Sequence, residues 1–223
     1  YCKAYLTVSK IDAEFLKTRL EKNSYNILNP IKVSNIGVDI NKNRKINLIK
    51  KNQIIFFGSL WYEPNVNAIL WLINEIMPLV LKEEPNILLL IAGSNPSKVL
   101  LNAISKKSYI KMVPNPLNIE QLIKKSNLSV APMLSGSGQQ FKLIESLALK
   151  TPVITTSKAS YPLGLKDNKN AIVCDDRISF SKAILKLVKN EELRSKLSQN
   201  GYDFVEKKYN WEKIVFKLLR DCY

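Results

Sequence analysis

From residue 54 onward, short apolar runs alternate with segments whose apolar residues recur at helical spacing, and the pattern repeats six times. Such alternation marks a parallel sheet joined by crossover helices, and it excludes all-β and all-helical folds. The strand-like runs are residues 54–57, 87–92, 109–113, 128–132, 153–156 and 171–174. The second is apolar throughout, as a strand covered on both faces must be. Between them the spacing predicts helices over residues 66–81, 97–105, 118–126 and 140–150, then two more within 179–208, broken near Asn190. The expected fold is α/β: a doubly wound, six-stranded parallel sheet of Rossmann-like type, in the order 3-2-1-4-5-6.

The first 43 residues stand outside this rhythm and end in Ile36-Gly37-Val38-Asp39. Residues 39–53 are mostly lysine, asparagine and arginine, a composition that suits a solvated connection. The expected division is a short amino-terminal remnant over 1–43 with a boundary near Asn43, a main domain over 44–210, and a terminal helix over 211–223. That helix places Trp211, Ile214, Val215, Leu218 and Leu219 on one face and is expected to pack toward the amino-terminal region.

Composition removes several chemistries. The chain has no histidine, so Ser-His-Asp, Cys-His and zincin arrangements are excluded within it. Cys2, Cys174 and Cys222 are too few and too scattered for a disulfide framework or a C-x-x-C metal site. The longest apolar runs fall well short of a bilayer span and no signal-peptide organisation is present, which predicts a cytoplasmic protein. A net charge of +15 attracts phosphates in general. The surplus lysines are spread along the chain, so a nucleic-acid partner is not expected, although a basic nucleic-acid-binding protein is an alternative that charge alone would allow.

Only 7 glycines are present, and five of them, Gly58, Gly93, Gly136, Gly138 and Gly164, follow strand-like runs. Glycine there lets backbone N–H groups approach a ligand, and doubly wound sheets bind ligands beyond the carboxyl ends of their strands. In the predicted order, the direction reverses between the first and fourth strands. Gly58 and the loop Ser135-Gly136-Ser137-Gly138 should therefore face each other at the switch point. The loop continues through Gln139 and Gln140 into a helix whose amino terminus favours an anion of diphosphate type. Lys142 would add a full charge, and Glu145, one turn on, would accept hydrogen bonds from a ribose diol. A plainer alternative has the glycines making a tight turn, with Lys142 solvated and paired to Glu145 at helical spacing. Neither the G-x-x-x-x-G-K-S/T nor the G-x-G-x-x-G pattern occurs, so ATPase and dinucleotide readings have no motif behind them.

These residues resemble the carboxy-terminal, donor-binding domain of GT-B glycosyltransferases of the family-4, or group 1, type. The stretch I-I-F-F-G-S-L-W-Y-E-P-N from Ile54 is similar to their G-S-x-x-Y-x-P-N signature, and a later G-S-N-P from Gly93 is similar to their G-x-N-P. G-Q-Q-F-K-L-I-E-S-L-A-L-K-T-P-V from Gly138 is similar to their G-x-x-x-K-x-x-E-A-x-A-x-G-x-P-V. Val8-Ser9 and Ile36 to Asp39 resemble the end of the amino-terminal domain and its hinge, and Tyr209-Asn210-Trp211 resembles a terminal Y-S-W.

The resemblance implies transfer of a sugar, of hexosyl type, from a nucleoside-diphosphate sugar to a glycan or lipid-linked acceptor in polysaccharide biosynthesis, without metal or other cofactor. It implies that Glu145 holds the donor ribose, that Lys142 and the backbone of Gly136 to Gln139 hold the diphosphate, and that Gly58 and Ser59 face it. Gly93 borders the crevice, and Val113 with Pro114 borders the base. Ser137 stands where many relatives carry a glutamate, no Arg or Lys occurs in residues 58–65, and Lys150 replaces a usual glycine. A non-catalytic nucleotide-sugar-binding module is the alternative reading. Lipid-linked acceptors would bring the protein to the anionic inner face of the membrane as a peripheral component.

Overall fold

The computed structural model describes residues 4–8, 10–23, 30–40, 48–136 and 138–222. Asn43, the expected boundary, and Ser137 lie outside the described residues. The amino-terminal region forms a small unit of β1 (Tyr5–Thr7), α1 (Lys10–Lys22) and β2 (Ile31–Val33), with the two strands paired in parallel. It thus repeats, in miniature, the strand-helix-strand logic of the rest.

The main body opens with β3 (Lys51–Phe57), three residues earlier than the apolar pattern suggests. The linker reading of residues 51–53 is corrected here. Gln53 is buried and donates to Ser126 Oγ at 2.9 Å, so the extra length is held by a polar pair between neighbouring strands that hydrophobic periodicity does not register.

The following helix is not one regular segment. It runs as α2 (Glu63–Trp71), a π-turn (Leu72–Ile76) and α3 (Met77–Glu83). The cause is Pro78, which has no N–H to donate to the carbonyl four residues back, and the Met77 N–H instead reaches Leu72 O. The span Glu63–Glu83 is long and apolar enough to cross a membrane by composition, but half of that window is buried inside the fold. Ala68, Ile69, Leu72, Ile73, Ile76 and Met77 are fully buried in the core cluster that includes the sheet residues Ile54, Phe56 and Leu89.

The chain continues through β4 (Leu88–Gly93), α4 (Lys98–Ile104), β5 (Ile110–Pro114), α5 (Ile119–Lys125), β6 (Ser126–Ala131), α6 (Phe141–Ala148), β7 (Val153–Thr155) and α7 (Ser157–Ser160). β8 (Ile172–Val173), α8 (Arg177–Lys189), α9 (Glu191–Lys208) and α10 (Trp211–Cys222) complete it. The six main strands pair in parallel in the order β5-β4-β3-β6-β7-β8, which is the predicted 3-2-1-4-5-6. Helices cap where the sequence signals say at Ser97, Asn118 and Asn190, while α8 starts two residues earlier than expected, behind Asp176; each of the four accepts from a first-turn N–H of the helix that follows. Asn190 is the break between α8 and α9.

Two chain segments are stitched at the terminal helix. Val38 N donates to Tyr209 O at 2.7 Å, and Trp211 N donates to Val38 O at 3.1 Å. Gly37 lies so close to Trp211 that a Cβ there would sit 2.8 Å from the Trp211 Cα.

Candidate functional site

Reversal of strand order between β3 and β6 leaves a crevice at the carboxyl ends of the sheet, and the local backbone there is shaped by glycine. Gly93, at the end of β4, has a φ of +154°, and a Cβ on it would lie 1.7 Å from the carbonyl oxygen of Gly58. The strand tips are laced together by Gly58 N to Ala92 O at 3.1 Å, Leu60 N to Ser94 O at 2.8 Å and Asn115 N to Gly93 O at 2.8 Å. Gly58, Ser59, Gly93, Val113 and Pro114 therefore share one edge, with Val113 and Pro114 beside Ala92 and Gly93 in register.

Opposite them, Ser135, Gly136, Gly138, Gln139 and Gln140 form the loop between β6 and α6. Gly136 (φ +107°) faces the Pro64 ring across the crevice, while a Cβ on Gly138 (φ +82°) would meet open space. Gln140 occupies the helix N-cap position without a side-chain cap bond, so the first turn of α6 keeps orphan N–H groups turned toward the loop. Gln139 Nε2 donates to Asn35 Oδ1 at 3.3 Å, tying the loop to the segment after β2.

Lys142 is the centre of this arrangement. Its Nζ donates to Asn65 Oδ1 at 2.6 Å, lies 3.8 Å from Met133 Sδ and sits 4.4 Å from the centroid of the Phe56 ring. Asn65 is itself buried in the first turn of α2 and is oriented by donating Nδ2 to Ser59 O at 2.9 Å. A side chain at Gly58 would come within 3.0 Å of Asn65 Nδ2 and 3.3 Å of Lys142 Nζ, so glycine keeps this contact open. Burial lowers the Lys142 ammonium to about 7, against the attraction of Glu145.

Glu145 is pushed up to about 7 by burial and by Glu120, with Lys142 opposing. The Lys142–Glu145 ion pair of the plainer alternative does not form; the ion pairs among the described residues lie elsewhere. Burial thus brings both groups close to neutrality from opposite sides.

A cleft of about 470 Å³ adjoins the loop, with Met133 as a wall shared with Lys142. Ser135, Gly136, Gly138 and Gln140 line one side, and Ser157, Lys158 and Tyr161 of the α7 segment line the other. Lys142 and Glu145 do not line it. The contribution of α7 was not legible in the sequence, where no element is expected between the runs 153–156 and 171–174. Among the described residues, no cluster of three or more His, Cys, Asp or Glu has a metal-binding arrangement.

A parallel sheet of this order, with a glycine-bearing loop at its switch point, defines a Rossmann-like domain. Residues 51–190 match the family described as glycosyl transferases group 1, and the chain belongs to that family. It is 27% identical over 175 residues to an uncharacterized 44.6 kDa protein in the cps region of Klebsiella pneumoniae, covering 75% of this chain and 45% of that protein. An uncharacterized glycosyltransferase of Methanocaldococcus jannaschii is 23% identical over 191 residues, covering 82% and 47%.

Among solved structures, a Staphylococcus aureus TarM mutant in complex with fondaparinux, alpha-GlcNAc-glycerol and UDP superposes with a TM-score of 0.79 at 17% identity, over 98% of this chain and 43% of that one. The pneumococcal O-GlcNAc transferase GtfA, bound to UDP and GlcNAc, gives 0.74 at 16%, over 99% and 44%. These likenesses establish the fold as the carboxy-terminal, Rossmann-like half of GT-B glycosyltransferases. The chain spans less than half the length of the curated relatives it matches.

Proposed function

We propose that this chain is the donor-binding half of a glycosyltransferase that moves a sugar, of hexosyl type, from a nucleoside-diphosphate sugar to a glycan or lipid-linked acceptor in polysaccharide biosynthesis. The observation that carries the reading is Lys142. Its ammonium is held by neutral Asn65 rather than by a carboxylate, at the point where Gly58 meets the loop before α6.

In such a reaction the departing diphosphate gains negative charge as the anomeric carbon becomes positive. A desolvated cation and orphan N–H groups stabilise that charge without metal, each such donor being worth about 3 kcal/mol. The diphosphate rests between Lys142 and the backbone N–H groups of Gly136, Gly138 and Gln139. The ribose is held by Glu145, and the base lies toward Val113 and Pro114. The absence of Arg and Lys from residues 58–65 is offset in space, because Lys142 from α6 occupies the ground beside Gly58. The setting is the cytoplasmic side of an anionic membrane, touched peripherally where lipid-linked acceptors reside. The acceptor and the groups facing the reacting sugar belong to the part of the enzyme that this chain does not span, so the chain on its own binds donor and turns over slowly.

A thermal-shift screen across UDP, GDP, dTDP, ADP and CMP sugars tests this. One base should raise the melting temperature, and Lys142→Met should abolish the shift. Absence of any shift with every nucleotide would overturn the reading. A shift without donor hydrolysis or transfer, even when the complete enzyme is assembled, would favour the non-catalytic binding module.

A further inference from the structure

At the opposite end of the strands lies a second concavity of about 460 Å³, bounded by the start of β3, the turn after α6 and the first turn of α9. Four cations line it, Lys50, Lys51, Lys150 and Arg194, against one carboxylate, Glu191. The ion pairs among the described residues include none of these four cations.

Their hydrogen bonds go to neutral acceptors instead. Lys50 Nζ reaches Ser126 O at 2.8 Å and Thr151 Oγ1 at 3.3 Å. Lys150 Nζ reaches Gln199 Oε1 at 3.0 Å, and Arg194 Nη1 reaches the carbonyls of Leu187 and Val188, both at 2.6 Å. Such anchoring fixes the side chains in place without cancelling their charge.

Burial and repulsion from Arg194 and Lys124 lower the Lys50 ammonium to about 8. The 18-residue helix α9 also begins in this pocket, adding the positive end of its dipole. An excess of four cations over one carboxylate in a concave site calls for an external counter-ion.

We propose that this pocket binds a phosphate-bearing anion, a phosphate ester or diphosphate, independently of the donor crevice. β3 separates the two sites by about 20 Å, at about 3.3 Å per residue. Cations converging from β3, the turn after α6 and α9 suit a compact multivalent anion. The same chemistry is offered by a free phosphorylated metabolite or by the headgroup of an anionic lipid.

The test is a pyrophosphate titration of the full 223-residue chain, followed in amide spectra at constant ionic strength. Expected are saturable shifts at Asn52 and Asn127, weakened at least tenfold in Lys51→Gln/Lys150→Asn, retained in Lys50→Arg and retained in Lys142→Met. Lys51 and Lys150 are exposed, and a cooperative melting transition within a few degrees of the parent verifies that the variant folds. Shifts confined to Gly136 and Gly138 and lost in Lys142→Met would overturn the proposal, as would shifts that survive Lys51→Gln/Lys150→Asn. Co-sedimentation with phosphatidylglycerol vesicles, displaced by pyrophosphate and absent with phosphatidylcholine, identifies a headgroup. Pyrophosphate binding without vesicle binding identifies a free phosphate ligand, and binding of neither removes the site.

Discussion

The Nζ of Lys142 on α6 lies 2.6 Å from Oδ1 of Asn65 on α2, joining residues 77 positions apart across the switch point of the sheet. The amide orients the ammonium yet leaves its charge unspent. An aspartate would have spent it. Asn65→Asp should therefore pair the lysine with a carboxylate, return its protonation to the ordinary range and weaken binding of a nucleoside diphosphate by tenfold or more, measured by calorimetry. Affinity equal to the parent would separate Asn65 from the anion site.

The protonation of the pair sets a pH dependence. Lys142 falls from 10.5 to about 7 in the fold, so between these values the unfolded chain binds more protons and stability rises with pH. Glu145 rises from 4.5 to about 7, so between these values the folded chain binds more protons and stability rises as pH falls. The Lys142 penalty is full below about pH 7 and the Glu145 penalty is full above it, so their sum is largest near pH 7. Lys142→Met/Glu145→Gln should remove that dip, giving its largest gain in melting temperature near neutrality and smaller gains at pH 5 and pH 9. A gain that is flat across this range would show that the pair is not desolvated as described.

Glu145→Gln tests the ribose assignment by itself. If the carboxylate accepts from the diol, the ribonucleoside diphosphate selected by the thermal-shift screen should lose about 1.5–3 kcal/mol of affinity, the usual worth of a charged hydrogen bond, while its 2′-deoxy counterpart loses less. Equal losses for the two nucleotides would place Glu145 away from the ribose.

Gly93→Ala should be severe. The added Cβ would lie 1.7 Å from the Gly58 carbonyl, so β3 and β4 must part at the rim of the crevice. Overpacking of this kind costs roughly 3 kcal/mol, seen as a large drop in denaturant midpoint. A near-parental midpoint would mean that the strand tips yield more easily than their hydrogen bonds indicate.

Lys150 holds a φ of +54°, a conformation that costs a non-glycine residue about 1–2 kcal/mol. Lys150→Gly relieves that strain but loses contact with the Tyr202 ring, worth about 0.5–1 kcal/mol at an exposed site. A net rise in melting temperature of a few degrees is expected by calorimetry, and a fall would show that the ring contact dominates.

Much of the architecture is legible in the residues because it is written locally. Short apolar runs and helical spacing mark the strands and helices, Asn118 and Asn190 announce helix starts, and the glycines after strands point to the crevice. The failures have physical causes. The polar start of β3 is stabilised by Gln53 reaching Ser126, 73 residues away, and the π-turn before Met77 follows from one missing proline N–H.

By itself, then, the sequence determined the alternation of elements, the strand order and the glycine-bearing loop before α6, since each depends on neighbours within a few residues or on the handedness common to parallel crossovers. Only the tertiary structure decided what Lys142 does. Its desolvation, its bond to Asn65 and the gathering of Lys50, Lys51, Lys150 and Arg194 into a second pocket arise from strand pairing that joins distant segments. Charge and solvation are set by what surrounds a side chain in space, and local periodicity carries no record of that.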